Sequence, residues 1–206
     1  MKTLTKEQQE KLTPEEAITL LKNGHNRFLE NTKMHRDLYE AIEHTKEAQH
    51  PFAIILSCID SRVPVEIVFD QAFGDVFVAR IAGNVINNDI LGSIEYAVKV
   101  VGVKLVFVLG HTNCGAVAGA VSDIEMGHIT GLVSKIKPAI FEAKQHGEQL
   151  PYKKFEDKVS HINVEMVKKQ LFQRSKIVNE FLEQNKIALK GGIYDVNSGK
   201  VTFLED

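Results

Sequence analysis

Five residues in two short stretches could do chemistry together. SCIDSR (57–62) carries a thiol at Cys58, a carboxylate at Asp60 and a guanidinium at Arg62, while LGHTNCGAV (109–117) carries an imidazole at His111 and a second thiol at Cys114. All are costly to bury unless paired, hydrogen-bonded or metal-bound. Two thiolates and one imidazole suit zinc, and three protein ligands leave one tetrahedral position open, the pattern of a catalytic rather than a structural site. Zinc in such a site lowers the pKa of bound water from about 15.7 to around 7, an effect that two thiolate ligands weaken. Asp60 and Arg62 are two residues apart, so on an extended segment both side chains point to one face and can pair. The pair would keep Asp60 ionised as a hydrogen-bond acceptor and restrain it from becoming the fourth ligand itself. Taken singly, each cysteine reads as a buried apolar thiol and Asp60 with Arg62 as a structural ion pair. It is their placement together that favours a metal. GHTNCG superficially resembles a phosphate loop, but Ala116 and Val117 stand where Lys and Ser/Thr are required.

The elements that must position these residues follow from the surrounding pattern. PFAIIL runs into Cys58 and KLVFVLG into His111. Apolar runs predict strands over 52–57, 75–81 and 104–110. Helices are expected at 64–70, 91–101, 113–126, 129–145 and 154–184, with a terminal strand pair, IALKGGIYDV and KVTFLE, about the turn Asn197-Ser198-Gly199. Continuous β-branched runs alternating with helices imply an α/β fold, a mostly parallel central sheet covered on both faces. Ligands in such sheets sit at the carboxyl ends of the strands. Cys58 ends one strand, and His111 and Cys114 follow the end of another, so the topology brings both motifs to one sheet edge. Upstream, Thr13-Pro14-Glu15-Glu16 is a helix start signal, and Ala17, Leu20, Leu21, Phe28 and Leu29 recur at helical spacing. A second helical stretch covers 36–48. The chain reads as one domain, 1–206, with an N-terminal helical arm (1–48) ahead of a core (49–206).

The 206 residues are 44% apolar and 25% charged, with a formal net charge of -2. Without a basic patch interleaved with aromatics, nucleic acid is not expected as a partner. AVKVVGVKLVFVLG is interrupted by Lys99 and Lys104 and is too short to span a bilayer. MKTLTKEQQEKL lacks the apolar region of a signal peptide, and two cysteines without such a signal point to free thiols and a cytoplasmic protein.

The pair CIDSR and GHTNCGAV resembles the zinc signature of β-class carbonic anhydrases, C-x-D-x-R followed by H-x-x-C-G. The similarity runs from about 49 to the C-terminus and takes in FGDVFVARIAGN, GSIEYAV and YDVNSGKVTFL. Mapped position by position, it implies Zn2+ on Cys58, His111 and Cys114, with Asp60 and Arg62 as a catalytic dyad and Asp60 as an alternative fourth ligand. Gln49 matches the family's polar substrate-binding glutamine; Phe77, Ala82 and Tyr96 match its pocket-lining positions. The family often has Val where Ala82 stands, which implies a looser wall. The chain has no Trp, and so lacks the residue around which some members build an inhibitory bicarbonate site. The resemblance implies reversible hydration of carbon dioxide to bicarbonate and a proton by zinc-bound hydroxide. It also implies arms that lie across a neighbouring subunit, with the pocket near the interface. The apolar stripe of 13–31, which has little to pack on in its own compact domain, agrees with a homodimer or homotetramer. Two other readings stand beside this one. One is hydrolysis of carbonyl sulfide or carbon disulfide at the same zinc; the other is a non-catalytic zinc-binding protein or thiol redox sensor built on Cys58 and Cys114. His25, His35, His44, His50, His128, His146 and His161 read as surface residues, any of which could shuttle protons.

Overall fold

The computed structural model describes residues 3–145 and 150–205; His146 lies outside them. Three helices come first, α1 (Lys6–Lys11), α2 (Pro14–Leu29) and α3 (Leu38–Thr45). Thr5 and Thr13 each close a reciprocal capping box, with Gln8 and Glu16 respectively. These boxes satisfy orphan N–H groups at the starts of α1 and α2. Then follow β1 (Ala53–Ser57), α4 (Val65–Val68), β2 (Val76–Arg80), a 3₁₀ turn (Ala82–Asn84), α5 (Asn88–Tyr96) and β3 (Leu105–His111). The second half holds α6 (Gly115–Val121), α7 (Gly127–Val133), α8 (Lys137–Gln145), α9 (Tyr152–Arg174), α10 (Lys176–Glu183), β4 (Ala188–Tyr194) and β5 (Val201–Phe203).

The five strands form one sheet in the order β2-β1-β3-β4-β5, parallel except for β5, which runs antiparallel to β4. Alternation along the strands sends Ile54, Leu56, Val106 and Val108 to one face, against α5, α9 and α10. It sends Ala53, Ile55, Leu105, Phe107 and Leu109 to the other, against α2 and α4. A third cluster, from α6 to α9, caps the carboxyl ends of the strands and contains both cysteines.

Several expectations change, among them the helix expected over 129–145, which is interrupted by a 3₁₀ turn at Ser134–Ile136. The arm does not lack a surface of its own. Ala17 and Leu21 of α2 are fully buried against Phe69 and Phe107 in the same chain, because the second sheet face would otherwise be bare. His25 is not a surface residue. It is 2% exposed, accepts from Val201 N and bonds the Val68 carbonyl through Nδ1, tying α2 to α4 and β5. The helix expected over 154–184 breaks at Ser175, whose extended backbone is held by caps on both sides. Its hydroxyl accepts from Val178 N and donates to Glu95 Oε1 at 2.6 Å.

Candidate active site

β1 delivers Cys58 and β3 delivers His111 to the same sheet edge, because the two strands are direct neighbours in register, Ser57 opposite Leu109. Cys114 follows as the residue before α6, reached through Asn113 in a left-handed conformation (φ 53°). The donor atoms of Cys58, His111 and Cys114 all lie within 4.8 Å of one another, and all three residues are buried. The two sulfurs are 3.9 Å apart.

These residues fit a metal ion. The His111 ring is held by an Nδ1 hydrogen bond to the Thr112 carbonyl at 2.9 Å, which makes Nδ1 the protonated nitrogen and leaves a lone pair on Nε2. Nε2 is buried and has no hydrogen-bond partner among the described residues. A buried nitrogen with an unused lone pair costs free energy, and here it lies beside two thiol sulfurs. The two thiols act on each other's protonation through their contact. The bond from Cys114 is the largest cause that pulls Cys58 down to about 4, while the same contact and burial push Cys114 up. A cation bound between them would release the thiol proton.

Asp60 and Arg62 do pair, but in a turn rather than on an extended segment. Arg62 N and Nε both donate to Oδ1 at 2.9 Å, and Nη2 donates to Oδ2 at 2.8 Å. The Arg62 side chain, through this two-point contact, holds the Asp60 carboxyl down at about 2, although burial opposes it. Arg62 Nη2 also donates to the Asn113 carbonyl at 3.0 Å, so the two motif loops are cross-linked. Asp60 Oδ2 stands 4.0 Å from His111 Nε2. The carboxylate therefore faces the donor cluster while both its oxygens are occupied by arginine.

Several residues that hydrogen-bond the loops around the site carry no motif in the sequence. Arg80, at the end of β2, donates to the carbonyls of Cys58 (2.8 Å) and Asp60 (2.6 Å). Asp157 accepts from Asn113 N, and Asp195 accepts from the Thr112 hydroxyl. Gly83 N donates to Cys58 Sγ at 3.3 Å, and Asn163 donates to the Gly83 carbonyl at 2.9 Å. The only sequence signals are an arginine closing a strand and a lone amide in an apolar helical stretch.

The pocket residues divide. Ala82 begins the turn whose next residue touches Cys58. Phe77 and Tyr96 line a groove of about 680 Å³ between β2 and α5 that includes none of the three donors. Tyr96 is 57% exposed there. Gln49 is exposed and precedes the amino end of β1, whereas Cys58 follows its carboxyl end.

With fold and site in view, the comparisons define the class. The profile of the carbonic anhydrase family matches residues 53–201. "Carbonic anhydrase 2" of Mycobacterium tuberculosis is 36% identical over 198 residues, 92% of each chain. Among solved structures, a β-carbonic anhydrase of Aspergillus fumigatus superposes with a TM-score of 0.76 at 26% identity, covering 92% of this chain and 89% of that one. One of two enzymes of Sordaria macrospora described as tetrameric β-carbonic anhydrases gives 0.74 at 24% identity, covering 82% and 90%. The chain belongs to the β-class carbonic anhydrase family and is an enzyme of that class.

Proposed function

We propose that this enzyme hydrates carbon dioxide reversibly to bicarbonate and a proton, at a zinc ion held by Cys58, His111 and Cys114. The observation that carries the reading is the orphaned, buried Nε2 of His111 beside two thiols, with an arginine-pinned carboxylate 4.0 Å away. Zinc, when bound, supplies a water that ionises near neutral pH. The chain's own part is orientation. Asp60 stays ionised throughout the working range and accepts a hydrogen bond from the nucleophile, aiming its lone pair at the substrate carbon. Arg62 keeps both carboxylate oxygens engaged and so keeps Asp60 from becoming a ligand. Ala82 lines the mouth beside Cys58, while Gln49, which precedes the opposite end of β1, donates to the product's oxygen at the site of a second copy of the chain.

Phe77 and Tyr96 belong to the wall of the pocket of a second copy of the chain. β2 is a sheet edge flanked by two grooves, the one with Phe77 and Tyr96 and another of about 630 Å³ lined by Leu38, Ile67 and Phe73. A half-exposed apolar edge strand is a ready pairing surface, and an isologous dimer places one copy's wall over the other's metal. The assembly is a homodimer or a homotetramer, and one solved structure of this fold, from Sordaria macrospora, is described as tetrameric. No described helix is long and apolar enough to cross a membrane, and two reduced thiols at the site suit the cytoplasm.

Stopped-flow hydration of carbon dioxide by zinc-loaded protein tests the reading, with hydrolysis of carbonyl sulfide and carbon disulfide run in parallel. Hydration that is lost on metal removal and restored by zinc is the expected result. Zinc-loaded protein that hydrolyses only the sulfur compounds, or does neither, overturns it.

A further inference from the structure

Asn163 sits at the middle of α9, 3% exposed, among the buried apolar residues Val159, Val164 and Val167. An amide in such surroundings destabilises the fold unless it is hydrogen-bonded. Its Nδ2 donates to the carbonyl of Gly83, eighty positions away in the chain. Gly83 is left-handed (φ 68°, ψ 18°), and Asn84 after it is left-handed too (φ 43°). A side chain at 83 would meet Ile136 Cδ1 at 2.8 Å and Ala116 Cβ at 3.2 Å, so the position admits only glycine without rearrangement. The N–H of this same residue donates to Cys58 Sγ. Cys58 is thus gripped twice, at its carbonyl by Arg80 and at its sulfur by Gly83.

We infer that Asn163 is a positioning residue for the metal centre: its amide fixes the left-handed turn at Gly83 so that the Gly83 N–H stays bonded to the Cys58 sulfur and orients it as a ligand. Groups that orient ligands from behind typically change metal affinity by 10–100-fold when removed. The inference rests on Cys58 being a ligand, and the two ideas fail differently. If Cys58 is not a ligand, Cys58→Ser keeps full zinc. If Asn163 is not a positioning residue, Cys58→Ser loses zinc while Asn163 variants hold it as the parent does.

The test is the rate of zinc release into a chelator from loaded protein, together with the thiolate charge-transfer band of the cobalt-substituted enzyme. Asn163→Ala and the near-isosteric Asn163→Leu, which can neither donate nor accept, are compared with Ser160→Ala. Ser160 lies one turn earlier on α9, is buried, and its hydroxyl has no partner among the described residues. Both Asn163 variants should release zinc about tenfold faster or more and shift the cobalt band, while Ser160→Ala should match the parent. Should Asn163→Ala not fold, Asn163→Leu decides alone. Parental release and an unchanged band in the Asn163 variants, or equally fast release from Ser160→Ala, overturn the inference.

Discussion

The two halves of the proposed active centre differ in how far one chain completes them. The reacting half, Cys58, Asp60, Arg62, His111 and Cys114, is knit together by hydrogen bonds from β2, the turn at Gly83, α9 and the loop after β4. The wall half is open. Phe77 and Tyr96 share a groove away from the donors, and Gln49 lies before the opposite end of β1. A single chain thus organises the charge chemistry, which needs fixed distances. In the proposed assembly the apolar enclosure, which needs only shape and exclusion of water, comes from a second copy. Charge stabilisation weakens steeply with misplacement and solvent, so it gains most from a rigid, covalently continuous scaffold.

Breaking the reacting half should cost the most. Cys58→Ser should lose zinc and activity together, since a hydroxyl replaces thiolate poorly as a ligand; metal analysis and turnover check it, and full zinc with retained turnover would remove Cys58 from the donor set. Asp60→Asn keeps size but removes the anionic acceptor. It should retain zinc and lose at least about tenfold in turnover, roughly 1.4 kcal/mol of barrier. Parental turnover at every pH would show that Asp60 does not orient the nucleophile.

Arg62→Ala should cost less, and its cost should depend on pH. Arg62 holds Asp60 at about 2, and without it the carboxyl returns toward the usual carboxylate value of about 3.9. It is then still ionised near neutrality, so protonation is not the cause of the loss. The freed carboxylate instead competes with hydroxide for the open metal position, and hydroxide gains as pH rises. A pH–rate profile should show the deficit largest at low pH and shrinking upward; a deficit independent of pH contradicts this.

The smallest effect lies far from the chemistry, at His25. Burial lowers its pKa from 6.5 in the folded chain, so the unfolded chain binds the extra proton first as pH falls. The stability contributed by neutral His25 is therefore complete above about pH 6.5 and is lost below it as pH falls toward the folded pKa. Thermal unfolding between pH 7 and pH 5 should show this decline, and a substitution such as His25→Gln should flatten it.

The reacting half was legible in the sequence because chemically distinctive side chains stand at short, fixed spacing at the ends of apolar runs. The parallel sheet was legible from those same runs. What was not legible depends on partners far apart in the chain. Nothing near Asn163 or Arg80 signals that they grip Gly83 and the Cys58 loop. Nothing near Ala17 and Leu21 says that a sheet face of their own chain awaits them. Ser175 breaks a continuous helical pattern because Glu95, remote in sequence, takes its hydroxyl. The Asp60–Arg62 pair was anticipated for the wrong reason, since a local turn rather than strand alternation brings the side chains together.

The contrast between the halves is tested most directly by mixing subunits. Cys58→Ser chains, which keep the wall, are co-assembled with Phe77→Ala/Tyr96→Ala chains, which keep the metal ligands, and sedimentation confirms that both assemble. If each centre takes its metal from one chain and its wall from the next, mixed dimers regain one intact centre of two, about half the parental turnover per dimer. Mixed assemblies no more active than the wall-deficient chains alone, or a fully active 23.0 kDa monomer at micromolar concentration, would contradict a centre shared between subunits.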